Sequence, residues 1–264
     1  MRTSFLFLLG GLYAATAQAQ TRVSIGPRLG GNLANATASV VDQSGLAGLD
    51  YTYSKGPLLG MQVGVAASIG SGHWAVQPAL LFTQKGVWQK YVVSASLGGL
   101  TFQEDDRVDS RVHYLELPIN VVYCLGADGN GFQLFAGPYV AVGIGGRANY
   151  SAMLTTNSPA LPGDSYTGSQ QFAFGNTFAE YDPSANPNSN NSTLDIDARL
   201  RRFDAGLNAG VGYRQGPVQV QLGYGLGLLN VQPDYPASYQ MDNTKSRLRT
   251  VQLAATYYFS VGGR

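Results

Sequence analysis

The stretch from Val218 to Leu228 separates cleanly by parity. Val218, Val220, Leu222, Tyr224, Leu226 and Leu228 fall on one side, and Gln219, Gln221, Gly223, Gly225 and Gly227 on the other. A helix would scatter these residues around its circumference, whereas a strand sends alternate side chains to opposite faces. The same pattern holds from Phe203 to Tyr213 and from Val251 to Phe259. Five weaker versions lie within 22–33, 58–69, 74–85, 112–124 and 132–145. That makes eight expected strands, each near the ~9–11 residues that cross a bilayer at a tilt.

The links between these strands alternate in length. Short ones fall at Gly70–His73, Gly126–Gly131 and Arg214–Gly216; long polar ones fall at Asn35–Gly56, Val93–Ser110, Ser151–Ala198 and Pro233–Ser246. Such sorting is expected when tight turns face the periplasm and longer loops face outward. In hydrocarbon every unpaired backbone group is costly, so spanning strands must close without an edge. The predicted fold is therefore all-β: an eight-stranded antiparallel up-and-down transmembrane barrel of the outer membrane. The alternative is a soluble periplasmic barrel of lipocalin type, which has no reason to sort its loops.

Composition agrees. Charged residues make 12% of the chain, about half the usual share, while 34 glycines and 16 tyrosines are present. A net charge of +1 offers no attraction for nucleic acid. At the N-terminus Arg2, the apolar run Phe5–Ala15 and Ala17-Gln18-Ala19 form the pattern of an export signal. The expected organisation is a signal peptide over 1–19 and a barrel over 20–264. No later run reaches ~18 apolar residues, the length of a membrane helix. Cys124 is the only cysteine, so no intramolecular disulfide can form.

Prolines create a local conflict. Pro78, Pro118 and Pro138 lie inside expected strands, where proline removes a ladder donor, and bulges are expected to absorb them. Aromatics at strand ends (Trp74, Trp88, Tyr91, Phe132, Tyr213, Tyr257 and Phe259) fit interfacial girdles.

Five motifs occur in order: Gly26-Pro27-Arg28-Leu29-Gly30, Tyr114-Leu115-Glu116-Leu117-Pro118, Ala136-Gly137-Pro138-Tyr139, Phe203-Asp204-Ala205-Gly206 and Tyr224-Gly225-Leu226-Gly227-Leu228-Leu229-Asn230. Together they resemble the PorT-like outer-membrane β-barrel family of Bacteroidetes-type bacteria, often described as porin family proteins. The resemblance implies a barrel in outer-membrane lipid, Leu-Pro and Gly-Pro at these strand positions as family features, and a possible link to secretion or gliding. Barrels of this kind commonly end on an aromatic, yet Ser260–Arg264 follow Tyr257-Tyr258-Phe259 here.

Inward parity places Arg28, Glu116 and Asp204 inside the barrel, with Arg202 and Lys85 expected to join them. Charges in a narrow lumen must pair or be wet, which suits a salt-bridge plug better than an ion path. The acidic run Glu104-Asp105-Asp106 with Asp109, and the pair Asp195 and Asp197, read as solvated loop rather than a Ca²⁺ site. His73 and His113 lie in separate segments, and Cys124 sits in no nucleophile motif, so neither a metal site nor a catalytic triad is expected. Gly223-x-Gly225-x-Gly227 lies mid-strand and is not a nucleotide loop. No cofactor is expected.

The longest link carries Tyr166, Phe172, Phe174, Phe178 and Tyr181, aromatics among adaptable polar residues that suit recognition of a protein or glycan. A floppy surface loop, or one folding back to cap the barrel mouth, is the other reading. The expectation is a monomeric, non-enzymatic surface or envelope protein, with a small passive pore and a rim enzyme acting on lipid or peptide as alternatives.

Overall fold

The computed structural model describes residues 21–37, 49–126, 129–160, 162–177, 199–234 and 245–261. The strands in chain order are β1 (Arg22–Ala36), β2 (Leu49–Ser71), β3 (Trp74–Leu97), β4 (Leu100–Cys124), β5 (Gly131–Thr156), β6 (Asp164–Gln171), β7 (Ala173–Phe174), β8 (Arg199–Leu200), β9 (Phe203–Gln215), β10 (Val218–Gly227), β11 (Leu248–Tyr257) and β12 (Phe259–Ser260). Eight of them form an antiparallel ring in the order β1-β2-β3-β4-β5-β9-β10-β11, closed by pairing of β11 with β1. β12 continues the seam, with Ile25 opposite Phe259. The barrel is therefore shut by main-chain hydrogen bonds from first strand to last.

Parity decides the two faces. Outward residues such as Leu29, Leu59, Leu80, Leu117, Val140, Leu207, Leu222 and Leu253 are exposed, while their neighbours are buried. Exposed leucine and valine on every strand would be a solubility fault in water; lipid solvates them. On β3 the apolar outward run extends from Trp74 to Phe82 and stops at Gln84. On β4 it extends from Tyr123 to Leu115 and stops at His113. Such a run, tilted as barrel strands are, spans about 23 Å, close to the apolar band of an outer-membrane barrel.

An aromatic belt borders that band at the short-turn end. Trp74 meets Tyr123 (ring centroids 4.8 Å apart), Phe132 meets Tyr213 (5.2 Å) and Tyr257 meets Phe259 (5.1 Å). Trp88 and Tyr91, grouped with these from sequence, lie elsewhere. They sit on β3 six and nine residues past the end of the apolar band at Phe82.

Strand length is the main departure from expectation. β2, β3, β4 and β5 contain 23, 24, 25 and 26 residues, more than twice what the membrane needs. Parts of three expected loops are strand: 49–56 belongs to β2, 93–97 and 100–110 to β3 and β4, and 151–156 and 164–171 to β5 and β6. β3 and β4 meet at Gly98 (φ 59°) and Gly99 (φ 85°), a left-handed pair that glycine alone adopts without strain. The result is a five-stranded sheet, β2-β3-β4-β5-β6, standing above the apolar band at the long-loop end. Polar alternation hid these segments from a search for apolar periodicity.

The prolines need no bulge. Register is the same on both sides of Pro78, Pro118 and Pro138, and each occupies a ladder position opposite Ile119, Tyr139 and Leu207 respectively. The irregularities lie instead between Pro57 and Gln62, and between His113 and Tyr114. Both fall where the strands leave the apolar band and the sheet bends into its extension.

Leu222→Arg, at mid-belt, should lower the unfolding free energy in lipid vesicles by about 2–4 kcal/mol, whereas Tyr257→Arg at the rim should cost about 1 kcal/mol or less. Guanidinium titrations followed by tryptophan fluorescence would measure both; equal costs would contradict this placement of the band.

Candidate functional site

The barrel interior is filled by side chains in tiers. At the short-turn end Arg214 donates to Ser24 Oγ (3.5 Å) and lies 4.6 Å from the Tyr258 ring. Arg22, Ser24, Ser68, Gln77, Gln133 and Arg214 line a cavity there of about 50 Å³, room for a few waters. His73 contacts the Cys124 carbonyl at 2.7 Å.

Above it lies a glutamine layer that sequence reading did not single out. Gln219 donates to Gln77 Oε1 (3.3 Å) and to Gln133 Oε1, Gln221 donates to Gln77 Oε1 (3.3 Å), and Gln77 donates to Ser68 Oγ (3.4 Å). Gln133 also donates to the Gly129 carbonyl at 3.2 Å. Arg28 joins from β1 by donating to Gln221 Oε1. An amide carries donors and acceptors on one short stem, so glutamines from β3, β5 and β10 bridge a bore too narrow for water-filled passage. The available signal was glutamine at inward parity on each of these three strands.

The next tier is ionic. Lys85 Nζ lies 2.7 Å from Glu116 Oε2 and 3.4 Å from Asp204 Oδ2, and Tyr139 donates to Asp204 Oδ2 at 2.9 Å. The ammonium also sits 4.4 Å from the Tyr139 ring and 5.4 Å from that of Tyr114. All of these side chains are buried. Two cations, Arg28 and Lys85, thus share the interior with two carboxylates, Glu116 and Asp204. Small inward residues make the space: a Cβ at Gly206 would lie 2.7 Å from the Tyr139 ring, and one at Gly210 would lie 2.6 Å from that of Phe135.

Arg202 does not belong to this group. It precedes β9 at a bend, where strand parity has not yet begun. Its exposed guanidinium lies 5.3 Å from the Phe174 ring.

The last tier is apolar. Val112, Tyr114, Tyr139, Ala141, Val231 and Leu248 form a buried cluster at the long-loop mouth, with Phe172, Phe174 and Leu200 packed against it. The short parallel pair β7–β8 and the hydrogen bond from Arg201 N to Val231 O (2.9 Å) hold these segments over the opening. Phe172 and Phe174 therefore face the lid rather than solvent. Tyr166 stands apart on β6, its ring 5.6 Å from that of Tyr150. Phe178, Tyr181, Asp195 and Asp197 lie outside the described residues.

The protruding sheet has two unlike faces. On its outer face charges satisfy one another: Lys90 with Asp105 (2.8 Å), Arg107 with Asp109 (2.9 Å), and Arg107 at 5.2 Å from the Trp88 ring. The Lys90 ammonium and the Gln103 amide hold the Asp105 carboxyl below its ordinary range. The inner face, which continues the barrel interior, carries Tyr53, Tyr91, Tyr150 and Tyr166 around Glu104 and Asp106. Partial burial, helped by neighbouring Glu104 and Asp105, pushes Asp106 up. The acidic run is thus strand, with alternate carboxylates on opposite faces.

A family model described as the outer membrane protein beta-barrel domain matches residues 17–232. The chain belongs to that family. Solved structures to which the chain is similar include Ail, the attachment invasion locus protein of Yersinia pestis, in complex with the heparin analogue sucrose octasulfate, at 11% identity and a TM-score of 0.32 over 92% of this chain and 100% of that one. Neisserial surface protein A matches at 10% identity and a TM-score of 0.34 over 89% and 97%. OprG from Pseudomonas aeruginosa matches at 11% and 0.35 over 93% and 99%. No curated protein matches the chain.

Lys85→Met should leave Glu116 and Asp204 buried without their shared cation, destabilising this outer-membrane barrel by about 3–5 kcal/mol. The triple variant K85M/E116Q/D204N should recover most of that loss. Denaturant midpoints in detergent micelles test both; an unchanged midpoint for K85M would show that the quartet carries no charge burden.

Proposed function

We propose that this outer-membrane barrel is a non-catalytic surface protein: a filled anchor that presents its protruding sheet to a protein or glycan outside the cell. The observation that carries this is the run of β2–β5 beyond the apolar band, joined there by β6. A chain that only needed to plug a barrel would turn back at the rim.

Two features of the sheet suit recognition. Among the described residues β6 pairs only with β5, so its other edge presents backbone donors and acceptors. From Ser165 to Gln171 that edge contains neither lysine nor proline, the usual guards against strand addition. On the inner face Tyr150, next to that edge, and Tyr53, on β2 at the sheet's far side, offer rigid amphipathic rings of the kind used in adaptable binding surfaces. Export through an N-terminal signal over 1–19, an outward-facing long-loop end, a monomeric state and membership of the PorT-like branch are parts of the same proposal.

A passive pore is the competing reading. It is disfavoured by the glutamine layer, the Lys85 quartet and the apolar lid, which stack along one axis and leave no open path among the described residues. Purified protein in planar bilayers should show no stable conductance at either polarity; steady single-channel steps would overturn the filled-anchor view. Replacing residues 158–198 with a short turn should preserve the heat-dependent gel shift of a folded barrel while removing signal on arrays of glycans and immobilised extended peptides. Retention of full binding by the shortened chain would move the recognition site elsewhere.

A further inference from the structure

The outward wall of the barrel carries a pair of arginines in a place that packing alone does not favour. Arg111 of β4 and Arg147 of β5 are direct cross-strand partners in the register Arg111↔Arg147. Both are exposed on the outer face. Like charges set opposite one another in a ladder repel, so such a pair lowers stability unless an anion lies between them. Neither has a carboxylate within ion-pair distance among the described residues. The nearest outer-face carboxylates are engaged, Asp109 by Arg107 at 2.9 Å and Asp105 by Lys90 at 2.8 Å.

Their height on the barrel is the second observation. One step towards the membrane on β4 lies His113, and below it Leu115, where the apolar outward run begins. On β5 the last outward apolar residue before Arg147 is Ile144, 56% exposed. The arginines therefore sit where hydrocarbon ends and headgroups begin. Around them stand further polar groups: Gln84 and His113, whose side-chain nitrogens lie 3.4 Å apart, and Gln171 of β6, directly opposite Arg147. Gly86, opposite Arg111, has no side chain to cover the site, and Arg111 reaches across that row to the Leu59 carbonyl at 3.3 Å.

We infer that Arg111 and Arg147, with Gln84, His113 and Gln171 beside them, form a binding site for a phosphate group at the membrane boundary, supplied by a headgroup of the surrounding lipid. Two guanidinium forks on adjacent strands match the geometry of a phosphate, which accepts paired N–H donors from each. The site depends on the placement of the apolar band but not on which end of the barrel faces outward. It is also separate from the protruding sheet's proposed partner.

Native mass spectrometry of the detergent-solubilised full chain would test this, with a bisphosphorylated glycolipid, its dephosphorylated form and inorganic phosphate as probes. The phosphorylated lipid should bind, and the double variant R111Q/R147Q should lose on the order of thirtyfold in affinity, while R111K/R147K, which keeps the charges but not the forks, should fall between that variant and the parent. Equal binding of the two lipid forms, or unchanged binding by R111Q/R147Q, would overturn the site. Binding of inorganic phosphate without either lipid would overturn the lipid as its source. Stability gives an independent readout. Arg147→Gln should raise the melting temperature in lipid-free neutral detergent, by relieving repulsion, and lower it relative to the parent once phosphorylated lipid is added. A variant less stable in both conditions would show that Arg147 serves packing instead. The apolar-band test with Leu222→Arg separates failure of this site from failure of the membrane placement.

Discussion

Every other feature of the molecule follows from one main-chain constraint: a strand in hydrocarbon must have both its edges paired. The β1–β11 seam meets it, with Arg28 opposite Thr256 and continuous pairing to Ala36 opposite Leu248. Closing eight strands fixes a bore so narrow that side chains alone fill it. The interior must then be built from groups that either occupy little space or satisfy one another. That is why glycine and glutamine dominate it, and why its buried charges, among the described residues, come as two cations and two carboxylates. A lone buried charge would be far more costly than any of these pairings.

The membrane sets an upper limit on useful strand length only while a strand is in the membrane. On β9, β10 and β11 the strands stop near that limit, at 13, 10 and 10 residues. On β2 to β5 they do not. The barrel is thus lopsided: half of its circumference ends at the rim, and the other half rises as a sheet. The two bulged irregularities, at 57–62 and at 113–114, mark the transition. They re-aim the sheet, and pairing resumes beyond each of them, so the extension stays hydrogen-bonded strand to strand above the ring.

How much of this could be read from the chain depends on what made each segment alternate. Inside the membrane one face must be apolar, so parity in Val218–Leu228 or Phe203–Tyr213 was plain, and the ring of eight strands followed. Above the membrane both faces are polar or mixed, and Asp105, Asp106 and Arg107 look like loop to any reader of hydrophobic period. The interior charges Arg28, Glu116 and Asp204 were legible because parity alone assigns a face. Arg202 was misplaced because parity was extended one step past the strand's beginning. For Phe172 and Phe174 the sequence left recognition and capping both open, since only the fold shows that β7 returns over the mouth to meet Val231 and Leu248. The prolines misled because the ladder merely lapses for two residues beside Pro78 and Pro118 and resumes in the same register, with no residue inserted.

The filled interior also bears on where selection for function can act. A quartet of Lys85, Glu116, Asp204 and Tyr139 is weak evidence for stability, since an apolar core of equal volume commonly does as well. Its advantage is specificity. An ionic contact joining β3, β4 and β9 is satisfied in one register only, and a slip of one residue would turn each of these charges into lipid. A barrel whose strands differ in length by more than twofold has many near-equivalent slips available, because the extra length on β2–β5 lets pairing slide without losing hydrogen bonds. The buried charges remove that freedom. They fix the relative height of β3, β4, β5 and β9, and with it the position of Arg111 and Arg147 at the headgroup level.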